Sequence, residues 1–214
     1  MYRVNVRTRW AWLIVLFAVI AFADCNTVQA ETLAGPSLVQ HLRQGGYVLL
    51  MRHAHSPPTL PDRSSADSGN THLERQLDET GRDTARAMGK AIRQLAIPVG
   101  AVLSSPTFRA LETVRLAALG TPRTYAQLGD GGQSMMAGAV RDQTSWLREK
   151  VGKRPNAGLN TIIVTHMPNI QVAFGQDATN LTDGEALIFH PNGHGGADLV
   201  AHIKIEDWPA LAGN

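Results

Sequence analysis

The sequence predicts an α/β fold in which a mainly parallel central sheet carries helices on both faces and ends in a C-terminal β-hairpin. Three observations predict it. Apolar runs of strand length, "YVLLM", "VGAVLSS" and "NTIIVTH", are separated by stretches whose apolar residues recur at helical spacing. Two of those runs lead into a proline that can open a helix, Pro106 and Pro168. The last two runs, "EALIFHP" and "ADLVAHIKI", are joined by the glycine-rich "NGHGG", as in a hairpin. With 214 residues, 43% of them apolar, the chain suits one globular domain, expected over residues 31–214.

Residues 1–30 are expected to lie outside that domain. The basic "MYRVNVRTR" and the apolar "WAWLIVLFAVIAFA" have the order of a signal peptide. Val28 and Ala30 fit the small-residue pattern before a cleavage site, which makes Glu31 the expected mature start. The apolar run ends at Asp24, short of the about 20 residues of a membrane span; an uncleaved anchor is the alternative. The single cysteine, Cys25, falls within the removed segment, and the acidic Asp24 before it does not suit lipid attachment. An exported protein, periplasmic or extracellular, is expected. Removing Arg3, Arg7, Arg9 and Asp24 takes 20 basic and 18 acidic residues to 17 of each. A neutral chain offers no general reason to bind nucleic acid or an anionic membrane, and no stable membrane insertion is expected after cleavage.

"YVLLM" is the first strand of the domain. An irregular segment, residues 56–79, follows; loops of that length in a compact domain commonly serve function. Because it leaves directly from "RHAH", it is expected to shape a site. From Thr80 to Ala96 the apolar positions Ala85, Met88, Ile92 and Leu95 predict a helix, with Thr80 and Asp83 as its capping box. After the second strand, Phe108, Leu111, Val114 and Ala118 predict a helix stopped by Gly120. "TYAQL" is a short third strand, followed by a helix around Met135 to Val151, the strand "NTIIVTH" and a short helix from Pro168. No internal repeat is present.

Three strand–helix junctions carry polar residues: Arg52 and His53 after the first strand, Arg109 after the second, His166 after "TIIVT". In a parallel sheet the carboxyl ends of the strands share one edge, where ligands bind, so these four residues are expected to converge. Groups that are cationic or can become so, gathered at helix N-termini, suit a phosphate dianion. Arginine adds two-point recognition of its oxygens. A histidine among them can attack phosphorus through one ring nitrogen if a hydrogen bond fixes the other.

"LMRHAHS", "SSPTFRALET" and "IIVTHMP", in that order, resemble the signatures of the histidine phosphatase (phosphoglycerate mutase-like) superfamily, and the short segment between Arg109 and His166 is most similar to its small bacterial members. The resemblance implies that His53 is the nucleophile that becomes phosphorylated, with Arg52, Arg109 and His166 completing the phosphate pocket. It implies a phosphomonoester hydrolase that needs no metal or organic cofactor and acts on a small or cell-surface phosphorylated substrate. A phosphomutase, or a phosphate- or phosphosugar-binding protein that has lost its general acid, is the alternative.

Two departures stand out. Relatives commonly have glycine after the nucleophile where this chain has Ala54, a change that matters only if the backbone there needs a positive φ. The glutamate that larger relatives use as general acid has no match in "YAQLGDGGQ"; Gln127 stands where a carboxylate is expected. Asp130, among Gly129, Gly131 and Gly132, is the candidate acid, and a turn aspartate is its plainer reading. Glu74 and His166 are further candidate donors. His53 and His55 could instead form a metal pair, but no cluster of further ligands accompanies them. His41, His72, His190, His194 and His202 read as solvated or packed imidazoles, Glu112 and Glu185 as helix-surface and strand-end carboxylates, and Met135 and Met136 as core.

Overall fold

The computed structural model describes residues 32–130 and 137–213. The expectations for residues 1–30 and for Met135 and Met136 lie outside the described residues. Six strands form one sheet: β1 Val48–Arg52, β2 Val99–Ser104, β3 Arg123–Thr124, β4 Asn160–Thr165, β5 Ala186–Pro191 and β6 Ala197–Ile203. Their spatial order is β3-β2-β4-β1-β5-β6. The pairs β1–β4, β2–β4 and β2–β3 are parallel, while β1–β5 and β5–β6 are antiparallel. The sheet is therefore mainly parallel with a C-terminal hairpin on one edge, as expected.

Both faces are covered, which explains why the central strands are apolar at consecutive positions. Leu49 and Met51 of β1 enter one core with Ile162, Val164 and Ile188; Val48 and Leu50 enter a second with Ile163, Leu187 and Phe189. Helices α1 Gly35–Gln44, α2 Glu79–Gln94, α3 Phe108–Ala117 and α6 Asp207–Leu211 contribute to the first core. Helices α4 Ala137–Gly152 and α5 Met167–Phe174 cover the second.

Several boundaries differ from expectation. Asp78, rather than Thr80, caps α2, its carboxylate accepting from Gly81 N–H at 2.8 Å. Helix α3 ends at Ala118, which takes the left-handed conformation itself (φ 50°), before Gly120 is reached. The third strand is only Arg123–Thr124, and Ala126–Leu128 coils into a 3-10 turn that buries Leu128. Helices α1 and α6 have no counterpart in the sequence reading; α1 buries Leu38, Val39 and Leu42, and α6 buries Trp208. Among the described residues no helix is long and apolar enough to cross a membrane.

Candidate active site

The carboxyl ends of β1, β2 and β4 bring His53, Arg109 and His166 together. Backbone bonds fix the turn after β1: His53 N–H donates to Thr165 O at 3.0 Å, and His53 O accepts from Gly184 N–H at 2.9 Å. Ala54 N–H donates to Thr113 Oγ1 of α3 at 3.1 Å. Ala54 is fully buried and is absent from the residues with positive φ, so an alanine serves at this position. Gly81 in the first turn of α2 presses on His55 O, where a Cβ would collide with that carbonyl.

The hydrogen bonds assign the tautomers of both buried histidines. His53 Nδ1 donates to Ala54 O at 2.7 Å, which leaves an unprotonated Nε2 to accept from Arg109 Nε at 3.2 Å. Arg109 Nη2 also donates to His166 Nδ1 at 3.1 Å. Since arginine offers only donors, the proton of His166 sits on Nε2 and is given to Ser105 Oγ at 2.9 Å, with Thr107 Oγ1 at 3.3 Å. The rings of His53 and His166 lie 5.2 Å apart, edge to face.

Burial, followed by the nearby arginines, pushes the pKa of each histidine down to about 3; for His53 the hydrogen bond to Ala54 O opposes this. Both rings are thus neutral near pH 7, and His53 presents a lone pair. Arg109, itself buried, completes its fork by donating to Asp130 Oδ2 at 2.8 Å, a carboxylate whose side chain is 48% exposed.

Arg52, half-buried, turns to Asp183 at 2.6 Å and to Leu181 O at 3.1 Å. Its Nε is buried without a hydrogen-bond partner among the described residues. The irregular segment adds two groups that sequence reasoning missed or left open. Arg75 donates to Ser56 O and Pro57 O, and its charge acts on His53, His166, Arg52 and Arg109. Glu74 Oε2 accepts Phe108 N–H at 3.0 Å, at the very start of the helix that carries Arg109.

The other candidates fall elsewhere. His55 pairs with Asp78 at 2.9 Å and lies 3.8 Å from Asp183. Among the described residues no three of His, Cys, Asp and Glu are grouped to hold a metal ion. Gln127 sits in the 3-10 turn. His72, His190, His194 and His202 are exposed and His41 is half-buried, the last two bonded to Glu185 and Ser37 O respectively. Glu112 corrects the expectation of a helix-surface carboxylate: it is 4% exposed, and burial raises its pKa. The reason is that its face of α3 lies under the 56–79 segment. Glu185 just before β5 is likewise buried, accepting from Thr182.

The family described as Histidine phosphatase superfamily (branch 1) matches residues 48–157, a span that contains Arg52, His53 and Arg109. The chain belongs to this superfamily. No curated protein matches it. Among solved structures, the protein histidine phosphatase SixA complexed with tungstate is similar at TM-score 0.54 and 16% identity, covering 75% of this chain and 98% of that one. A putative phosphohistidine phosphatase SixA from Agrobacterium tumefaciens gives 0.51 and 14%, covering 74% and 97%. A phosphoserine phosphatase from Entamoeba histolytica, in complex with phosphoserine, gives 0.50 and 13%, covering 75% and 98%. At these identities the likeness is one of fold, and it agrees with the histidine phosphatase membership. His53, Arg109 and His166 meet at the carboxyl edge of the parallel strands, where such sheets take ligands, while Arg52 beside them pairs with Asp183.

Proposed function

We propose that the chain is a phosphatase that hydrolyses phosphomonoesters through a phosphohistidine on His53. The observation that carries this reading is the tautomer of His53: Nδ1–H is spent on Ala54 O, and Nε2 points its lone pair at the Arg109 fork. A phosphate held by Arg109, Arg52 and Arg75 would meet that lone pair. Attack of Nε2 on phosphorus forms the N–P bond as the ester P–O bond breaks and the leaving oxygen takes a proton. Water then attacks the phosphohistidine, restoring His53 and releasing inorganic phosphate. The arginines stabilise charge on the transferring oxygens, and a dianion that draws Arg109 off His166 Nδ1 would favour a proton on that nitrogen. This chemistry calls on no metal or organic cofactor.

Asp130 is the proposed proton donor to the leaving oxygen. Its carboxylate sits on Arg109 Nη2, where a phosphate oxygen would be received, so the role requires that pair to open. The same contact favours a second reading, a protein that binds phosphate and does not turn it over. Turnover of nitrophenyl phosphate by the purified protein, with phosphate incorporation into the chain, decides between them. His53→Ala should abolish incorporation; an acid-labile phosphoprotein in that variant would remove His53 as nucleophile. Export is proposed from the basic start, the apolar run and Val28-x-Ala30. Mass spectrometry of the exported protein should find Glu31 at its start, and an intact N-terminus in the membrane would favour an anchor.

A further inference from the structure

A cavity of about 420 Å³ lies apart from the catalytic residues. Its floor includes Gly100, Ala101 and Thr161, at the amino ends of β2 and β4. Thr161 lies about 15 Å of strand before His166, while Leu103 and Tyr125 extend the lining along β2 towards its carboxyl end. The sheet is open here because β3 pairs only with Leu103 and Ser104, leaving the first half of β2 with no outer neighbour among the described strands. The floor is also flat. Gly100 is the irregular residue in the β2–β4 pairing, and the Leu159 side chain occupies the place a Cβ would take.

The walls carry four cations from three places: Arg123 of β3, Lys150 at the end of α4, and Lys153 and Arg154 in the turn after it. No carboxylate lines the cavity. Glu149 bonds Lys150 at 2.8 Å from the solvent side, its own side chain 67% exposed, and Lys153 feels its charge. Lys150 and Lys153 have a local reason to be there, since cations complement the C-terminal end of a helix dipole. Arg123 comes from another element and has no such reason. Among the described residues neither Arg123 nor Arg154 makes an ion pair.

Four cations line one cleft, three of them not bonded to a carboxylate among the described residues, which exceeds what one phosphate needs, and the volume matches a small-molecule site rather than a docking face for a folded domain. We propose that this cleft is a second anion site, which takes a small polyanion bearing two or more phosphate or carboxylate groups independently of the catalytic pocket.

Trp146 reports on it. Its ring lies 4.9 Å from Tyr125, which lines the cleft, and Lys150 Nζ stands 5.1 Å from its centroid. Tripolyphosphate added to the full-length protein should change the tryptophan emission, and Trp146→Phe should remove the change. Arg123→Glu combined with Arg154→Glu should weaken binding by at least ~10-fold while leaving nitrophenyl phosphate hydrolysis unchanged. Arg154→Gln, a milder exposed change, should weaken it in the same direction. Citrate in place of tripolyphosphate tells whether carboxylates serve as well as phosphates. Binding equal in wild type and the charge-reversed variants overturns the proposal. So does binding lost only in Arg109→Ala, which would place the anion in the catalytic pocket, and so does no signal up to about 10 mM. None of these results bears on whether His53 is phosphorylated.

Discussion

The proton on His166 depends on Ser105, which stands within "SSPTFRALET" but has no local feature that marks its role. Ser105 Oγ accepts from His166 Nε2, and it is itself tied to Thr107 by both N–H and Oγ1. Ser105→Ala should lower kcat/KM by roughly fivefold, about 1 kcal/mol for one neutral hydrogen bond, and should shift the pH profile because the favoured tautomer is lost. An unchanged pH profile would show that Thr107 alone holds the ring. Asp130→Asn belongs to the same scale. If Asp130 protonates the leaving group, the variant should lose much of its rate on an alkyl phosphate and little on nitrophenyl phosphate, whose leaving group departs unaided. Equal, small losses would return the residue to a passive partner of Arg109. Arg52, His53, Arg109 and His166 were legible because each follows a recognisable strand. Ser105, Arg75 and Asp183 were not, because their roles arise from contacts between segments distant in sequence, and a serine or aspartate in a turn has an adequate local explanation.

At the scale of elements, the helix that delivers Arg109 is capped by a distant carboxylate. Thr107 makes no side-chain cap on α3, and Glu74 supplies the acceptor for Phe108 N–H from the irregular segment. Glu74→Ala should cost about 1 kcal/mol of stability, typical of a lost cap. It should also reduce activity more than Glu74→Gln, which keeps an acceptor oxygen. Denaturant unfolding and nitrophenyl phosphate turnover measure the two effects. A second element-level constraint is the crossing of α2 and α3, where a Cβ on Gly89 would collide with Ala117 O. Gly89→Ala should therefore destabilise by 1–3 kcal/mol or more despite better helix propensity, and a rise in melting temperature would refute that crossing. Helical periodicity revealed α2, α3 and α4; α1, as long as α3, carries the same kind of signal in Pro36 near its start and Leu38, Val39 and Leu42 at helical spacing, and was missed, whereas α6 has five residues and β3 two. The existence of those two short elements rests on packing rather than on a local pattern.

For the whole molecule, the two buried histidines set the response to acid. Their folded-state values near 3 lie below the ordinary 6.5, so the unfolded chain binds protons that the folded chain refuses. Their contribution to stability is complete above pH ~6.5 and declines as the pH falls towards 3. Melting temperature should drop across that window, and saturating phosphate should lessen the drop by favouring a protonated His166; a flat profile from pH 7 to 4 would contradict the assignment. The architecture was legible because consecutive apolar strands and helical spacing report a two-sided sheet, whereas the shape of the 56–79 segment was not, its folding being governed by tertiary bonds to Arg75 and Gln76. One turn of that segment is nonetheless bonded mostly to itself. Asp62 accepts from the N–H and Oγ of both Ser64 and Ser65, and its own O receives Ala66 N–H. The turn at residues 62–66 is thus held mainly by its own bonds, with Gln76 Nε2 donating to Ser65 O from the base of the segment, while the backbone of His53 is clasped by Thr165 and Gly184 instead. A protein engineer could therefore graft a foreign turn at residues 62–66, keeping an acceptor for Gln76, and leave untouched the bonds that hold His53 at the end of β1.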